Sequence, residues 1–226
     1  MIKLDLQFFG GRGSASSGGG TGKVGEGYGG TGKPLGLAGQ TYFEDGNKTS
    51  VAGTLNYWEN KSKDLKHEEL LLIDEDGFAC GYFKGGDRSV KFDIPKDVDP
   101  SKTVLTHNHP YGTKATQYRT IGGSFSNKDL ENHIKFGFKE TRATTIEGTY
   151  SFKATKGTTQ NKSGFLAALS KRKDECTMKA DKAFKKAQAK GSKKSYIDTY
   201  LETCDKWYKI NCGKFGYTYS FTPAKK

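Results

Sequence analysis

The sequence predicts an α/β (α+β) protein. Short apolar or alternating runs fill Glu68 to Thr106, a capped helix opens at Ser126, and a hairpin, two helical stripes and a last strand follow. Glu68-Glu69-Leu70-Leu71-Leu72-Ile73-Asp74 reads as a buried strand, Asp74-Glu75-Asp76-Gly77 as its turn, and Phe78 to Phe83 as the returning strand. Ser89 to Ile94 alternates Val90, Phe92 and Ile94 with polar residues, the period of a half-buried strand. Thr103 to Thr106 is a brief strand running into His107-Asn108-His109-Pro110. Ser126 is a good N-cap, Asp129 suits a first turn, and Leu130, Ile134 and Phe138 continue at helical spacing. Thr144 to Lys153 predicts a hairpin turning at Glu147-Gly148, and Gly164 to Lys190 a Lys- and Ala-rich helix. Tyr196, Ile197, Tyr200, Leu201, Cys204, Trp207 and Tyr208 trace an i, i+3, i+4 stripe on another helix, before a strand at Gly216 to Phe221. Gln40 to Tyr57 is mixed text with a turn at Asp45-Gly46-Asn47.

Composition divides the chain in three. Of 226 residues 30 are glycine, and fourteen of these lie in the first forty. Residues 1–39 therefore read as a disordered Gly/Ser-rich tail, with too little apolar surface to offset the entropy of ordering. Residues 40–161 carry seventeen Lys+Arg and seventeen Asp+Glu, whereas 162–226 carry sixteen against six, so the net charge of +12 belongs mainly to a basic helical extension with a final strand. That extension is a candidate nucleic-acid surface; the middle needs no polyanion. No run approaches the roughly 18 apolar residues of a membrane span, and the opening MIKLDLQFFGG is too short in apolar residues for a signal peptide, so the expected location is intracellular. Cys80, Cys176, Cys204 and Cys212 lack CxxC spacing and read as reduced, mostly buried thiols.

The chemistry concentrates around residue 108. If the strand continues through His107-Asn108-His109, the period of two points both imidazoles to one side, and Pro110 fixes the exit. Asp129, in the first turn of the next helix, can lean back toward the same point. Two neutral imidazoles and one carboxylate with a fourth position for water form the donor set of a catalytic Zn2+ site. A proton acceptor would come from the strand beginning Glu68-Glu69, and the Ser126 hydroxyl, besides capping the helix, can donate to a developing oxyanion.

Glu, then His107-Asn108-His109-Pro110, then Ser126-x-x-Asp129 resembles the JAB/JAMM metalloprotease superfamily, with HNHP wording closest to its RadC-like and phage-encoded branches. The resemblance covers roughly residues 65–153. It implies a cytidine-deaminase-like core with a curved, mostly antiparallel sheet flanked by helices, and hydrolysis of a peptide or isopeptide bond in a protein or peptide substrate. By the same resemblance His107, His109 and Asp129 would bind Zn2+, Glu68 would be the general base, with Glu69 as alternate, and Ser126 would stabilise the oxyanion. Nineteen residues separate His109 from Asp129, more than the family usually has, and the surplus at Gly112 to Ile121 reads as a lid or insert. The LDLQFFGGRGS opening resembles the start of many phage and prophage proteins, which implies a bacterial host cytoplasm or a virion as location, and a phage structural protein as a partner.

Simpler readings stand beside these. Ser126-x-x-Asp129 is also a plain helix cap, and His133, one turn beyond Asp129, reads either as a support behind the metal ligands or, by preference, as an ordinary helix-surface histidine. The consecutive letters His-Asn-His are not an HNH nuclease motif, which spreads its residues along a ββα unit. The function class competing with a hydrolase is a non-catalytic phage assembly or DNA-associated binding protein that works through the basic C-terminal helices.

Overall fold

A computed structural model describes residues 4–7, 50–86, 89–111 and 123–224. The tail at 12–39, the turn at Asp45-Gly46-Asn47 and the insert at Gly112 to Ile121 lie outside the described residues. The elements are β1 (Leu4–Gln7), α1 (Val51–Ser62), β2 (Glu69–Ile73), β3 (Ala79–Lys84), β4 (Ser89–Phe92), β5 (Val104–Asn108), α2 (Asn127–Phe136), β6 (Glu140–Thr145), β7 (Gly148–Ala154), α3 (Lys162–Gln188), α4 (Tyr196–Asn211) and β8 (Tyr217–Pro223). They build a mixed α/β structure around a curved six-stranded sheet of order β3-β2-β5-β6-β7-β8. Only β5 and β6 pair in parallel; the other pairings are antiparallel. A parallel pair needs a crossover, and α2 supplies it.

Both faces of the sheet are covered, which explains the unbroken Leu70-Leu71-Leu72-Ile73 run. Leu71 and Ile73 face α1, packing with Leu55, Trp58 and Val104. Leu70 and Leu72 face the other way, with Leu105, Phe83, Phe92 and Phe138. On that second side Phe125, Leu130 and Ile134 meet Phe152 of β7, Phe165 and Leu169 of α3, Trp207 and Tyr208 of α4, and Tyr217 of β8 in one cluster. Residues beyond 161 thus complete a core begun before it.

Local chemistry sets the boundaries. The Asp74 carboxylate accepts from the N–H groups of Asp76 (3.0 Å) and Phe78 (2.8 Å), closing the β2-β3 turn. Gly77 has φ 89°, and a Cβ there would lie 2.3 Å from the Ser50 carbonyl carbon, so glycine alone fits where the turn meets the start of α1. All four cysteines are free and buried, as expected from their spacing. Among the described residues no helix is long and apolar enough to cross a membrane.

Two segments differ from expectation. α1 occupies text that reads as mixed: its buried stripe is only Leu55, Trp58 and neighbouring polar atoms, and Gly53, Asn56 and Asn60 have weak helix propensity. Leu4–Gln7, within the stretch expected to be tail, pairs antiparallel with β4, which otherwise presents an open strand edge.

The α1 side of the sheet holds a partly buried ion-pair network. Arg142 donates from Nε to Glu59 Oε1 (2.6 Å), from Nη2 to Glu59 Oε2 (3.0 Å) and from Nη1 to Glu140 Oε1 (2.8 Å). Thr106 and Thr149 add hydroxyl donors to the same Glu59 carboxylate at 3.2 and 3.1 Å. Removing a cation from such a pair strands a desolvated carboxylate. Arg142→Met is expected to lower unfolding free energy in urea titrations by about 3 kcal/mol, with little loss if Glu59 is replaced by Gln in the same chain.

Candidate metal centre

β5 continues through the motif as its period requires. His107 opposes Leu70 of β2 on one side and Ala143 of β6 on the other, and the His109 N–H donates to the Thr144 carbonyl at 2.8 Å, extending the ladder by one residue. His107 and His109 therefore share the face that carries Leu70 and Ala143. Asn108 points to the opposite face, where its Oδ1 accepts from the Glu69 N–H (2.6 Å) and its Nδ2 donates to the His67 carbonyl (2.9 Å). These bonds fasten the end of β5 to β2 and fix the parity of the two histidines.

Ser126 and Asp129 form a reciprocal cap at the start of α2. The Asp129 N–H donates to Ser126 Oγ at 3.2 Å, and the Ser126 N–H donates to Asp129 Oδ2 at 2.6 Å. The same Oδ2 lies 3.7 Å from His107 Nε2 and 3.8 Å from His109 Nε2, while the two Nε2 atoms are 3.0 Å apart. Among the described residues this is the group of His, Cys, Asp and Glu side chains that can hold a metal ion. A tetrahedral ion with Zn–N bonds of 2.0–2.1 Å would separate its ligand atoms by about 3.4 Å, which falls inside this spread.

The surroundings suit a cation. His107, His109 and Asp129 are at most 2% exposed. His109 Nδ1 lies 2.8 Å from the Gly123 carbonyl, which can only accept, so Nδ1 keeps a proton and Nε2, on the Asp129 side, is the ring atom a metal would take. Burial opposes ionisation of Asp129, but His107, His109 and the Ser126 N–H outweigh it and hold the carboxyl below its ordinary range. The donor set is thus one carboxylate and two imidazoles, all buried, a combination that fits Zn2+.

The two acidic candidates separate by face. Glu68 extends the β2-β3 ladder, its N–H donating to the Gly86 carbonyl and its carbonyl accepting from Gly85, both at 2.7 Å. It has the parity of Leu70, hence of the two histidines, and is 1% exposed. Glu69 points to the α1 side, with its carboxylate 2.8 Å from His67 Nε2 and 3.8 Å from Lys84 Nζ.

His133, one turn beyond Asp129, is buried and not on the helix surface: Nδ1 lies 2.9 Å from Thr141 Oγ1, and the ring stands edge-on to Phe152 at 4.8 Å between centroids. Its i+4 spacing from Asp129 was the available sequence signal. The Gly123 carbonyl had none, because a backbone acceptor leaves no mark in the sequence.

In comparisons with family models, curated proteins and solved structures, nothing matches this chain. The fold and the site define a mixed α/β protein with a buried His-His-Asp cluster at the junction of β5 and α2.

Burial, and repulsion from Lys162, push His133 down to about 4 from its ordinary 6.5, against a smaller opposing effect of Glu140. The unfolded chain therefore binds the extra proton first as pH falls. The stabilising contribution of neutral His133 is complete above pH 6.5 and is lost toward pH 4, by about 3 kcal/mol. Asp129 and Glu140, both held below their ordinary values, add losses only from about pH 4.5 downward. Urea titrations at stepped pH are expected to show that slope in the parent protein and a flatter one in His133→Gln.

Proposed function

We propose that the chain is a JAB/JAMM-like, zinc-dependent hydrolase of a peptide or isopeptide bond, phage or prophage encoded and acting in the bacterial host or in the virion. The observation that carries this reading is the convergence of His107 Nε2, His109 Nε2 and Asp129 Oδ2 within 3.8 Å of one another. When bound, Zn2+ supplies Lewis acidity and lowers the pKa of a coordinated water toward 7. The chain's own residues do the rest. The two imidazoles and the Asp129 carboxylate hold the ion, and the Gly123 carbonyl and Ser126 N–H orient two of these three ligands. Glu68, on the histidine face at the end of β2, takes a proton from the nucleophile and returns it to the leaving amine. Ser126 Oγ already accepts from the Asp129 N–H, so its own O–H remains a donor for a developing oxyanion.

Metal analysis of protein reconstituted with Zn2+ is expected to give one equivalent in the parent chain and in Glu68→Gln, and none in His107→Ala or Asp129→Ala. Against a mixed peptide library, Glu68→Gln is expected to lose about 10²–10⁴-fold in rate. Parent protein that holds no zinc would sink the reading.

A second reading rests on α3. Lys179, Lys182 and Lys186 are exposed at spacings of three and four, and Lys190 and Lys193 extend them past the helix end. The apolar face of α3 is spent on the core through Phe165, Leu169 and Cys176, so the outward surface offers cations without a membrane-inserting stripe. This would make the chain a DNA-associated or phage-assembly protein, with or without catalysis. Duplex-DNA affinity should then fall with salt, and replacing Lys179, Lys182 and Lys186 by Ala should reduce the log–log slope by about 3. A flat slope in the parent protein would rule this reading out.

A further inference from the structure

Ser126 and Gly123 sit in an irregular segment, residues 123–126, with no strand or helix of its own to hold it. Yet that segment must place a carboxylate and a carbonyl against two imidazoles to within a fraction of an ångström. Both residues flanking Ser126 are gripped from the C-terminal third of the chain. On one side, the Tyr208 hydroxyl of α4 donates to the Phe125 carbonyl at 2.9 Å. On the other, Arg172 Nε of α3 donates to Asn127 Oδ1 at 2.6 Å, and Asn127 Nδ2 donates to the Leu169 carbonyl at 2.9 Å. The grips are joined, because the Arg172 guanidinium stands 5.1 Å from the centre of the Tyr208 ring. Arg172 is 3% exposed and Tyr208 fully buried. A guanidinium is costly to bury without partners, and this one donates to the asparagine beside the cap.

We infer that α3 and α4 form a clamp in which Tyr208, Arg172 and Asn127 are positioning residues for the metal centre, setting the aim of Asp129 through the backbone on either side of Ser126. The inference rests on the zinc reading of His107, His109 and Asp129. It makes the C-terminal third part of the metal site although, among the described residues, the three candidate ligands all lie before it. The clamp raises zinc affinity by holding the ligands in place before the ion arrives.

The experiment measures zinc affinity by competition with a chromophoric chelator in the full chain. Tyr208→Phe removes one hydroxyl and keeps the ring; Asn127→Ala releases the other grip. Trp207→Phe serves as comparison: it breaks the Trp207 Nε1–H to Glu175 Oε2 bond (2.9 Å) between the same two helices and removes none of the hydrogen bonds that hold residues 125 and 127. Tyr208→Phe and Asn127→Ala are each expected to weaken zinc binding roughly tenfold and to shift the visible absorption bands of the Co2+-loaded protein, while Trp207→Phe leaves both unchanged. Parent-like affinity in Tyr208→Phe and Asn127→Ala, or equal weakening in all three variants, overturns the clamp and leaves the metal reading intact. Parent protein that binds no zinc overturns both.

Discussion

The reciprocal cap between Ser126 and Asp129 is the interaction on which the candidate site depends. A cap normally does one thing: it satisfies backbone donors that the first turn of a helix leaves open. Here the carboxylate that closes the cap is also the one facing His107 and His109, through the same oxygen that accepts from the Ser126 N–H. The start of α2 and the geometry of the cluster are therefore one constraint. Chain topology makes this possible. Because β5 and β6 are parallel, the chain must leave the end of β5 and return through a helix, so that the end of the strand and the start of the helix lie at the same edge. Residues far apart in sequence meet there as a consequence of strand direction.

Burying a carboxylate among two imidazoles is unfavourable unless the charges compensate, and the surroundings show that they do. Desolvation works against ionised Asp129, and the imidazoles together with one backbone N–H reverse it. The opposite side of the sheet solves the same problem with Glu59, Arg142 and Glu140, where a planar guanidinium bridges two carboxylates. The two polar networks use neighbouring residues of the same strands. Thr106 and Arg142, cross-strand partners, point to α1, whereas His107 and Ala143, the next pair along, point to α2. Alternation keeps the partly buried ion pair away from the His-His-Asp cluster, so neither network has to share acceptors with the other.

This alternation also explains what the sequence makes legible. The histidine pair, the apolar strand before it and the capped helix after it are local patterns, each with its own period. The structure has each where the pattern lies, except that α2 stops at Phe136 on the left-handed Gly137, so Phe138 packs from beyond the helix. The choice between Glu68 and Glu69 is not local, since both belong to one strand and only pairing with β5 says which parity faces the histidines. α1 was hidden because its buried stripe is short and set among weak helix formers. Glu59 with Arg142, and Arg172 with Asn127, were hidden for another reason: their partners are more than forty residues apart, and a charged side chain looks the same in sequence whether it ends in solvent or under a helix.

The basic C-terminal third therefore divides into two kinds of cation. The exposed lysines of α3 are solvated and flexible, and their charge acts outward at a range set by salt. Arg172 is turned inward, where a lysine could not serve equally well: the rigid fork reaches Asn127 while its flat face lies against Tyr208. Net charge cannot distinguish the two, although they carry different consequences. The outward lysines bear on what the protein meets in solution, and the single inward arginine bears on how firmly the start of α2 is held. Since that start carries Asp129, the region with the greatest excess charge is coupled mechanically, through one buried guanidinium and one phenol, to the region whose charges balance.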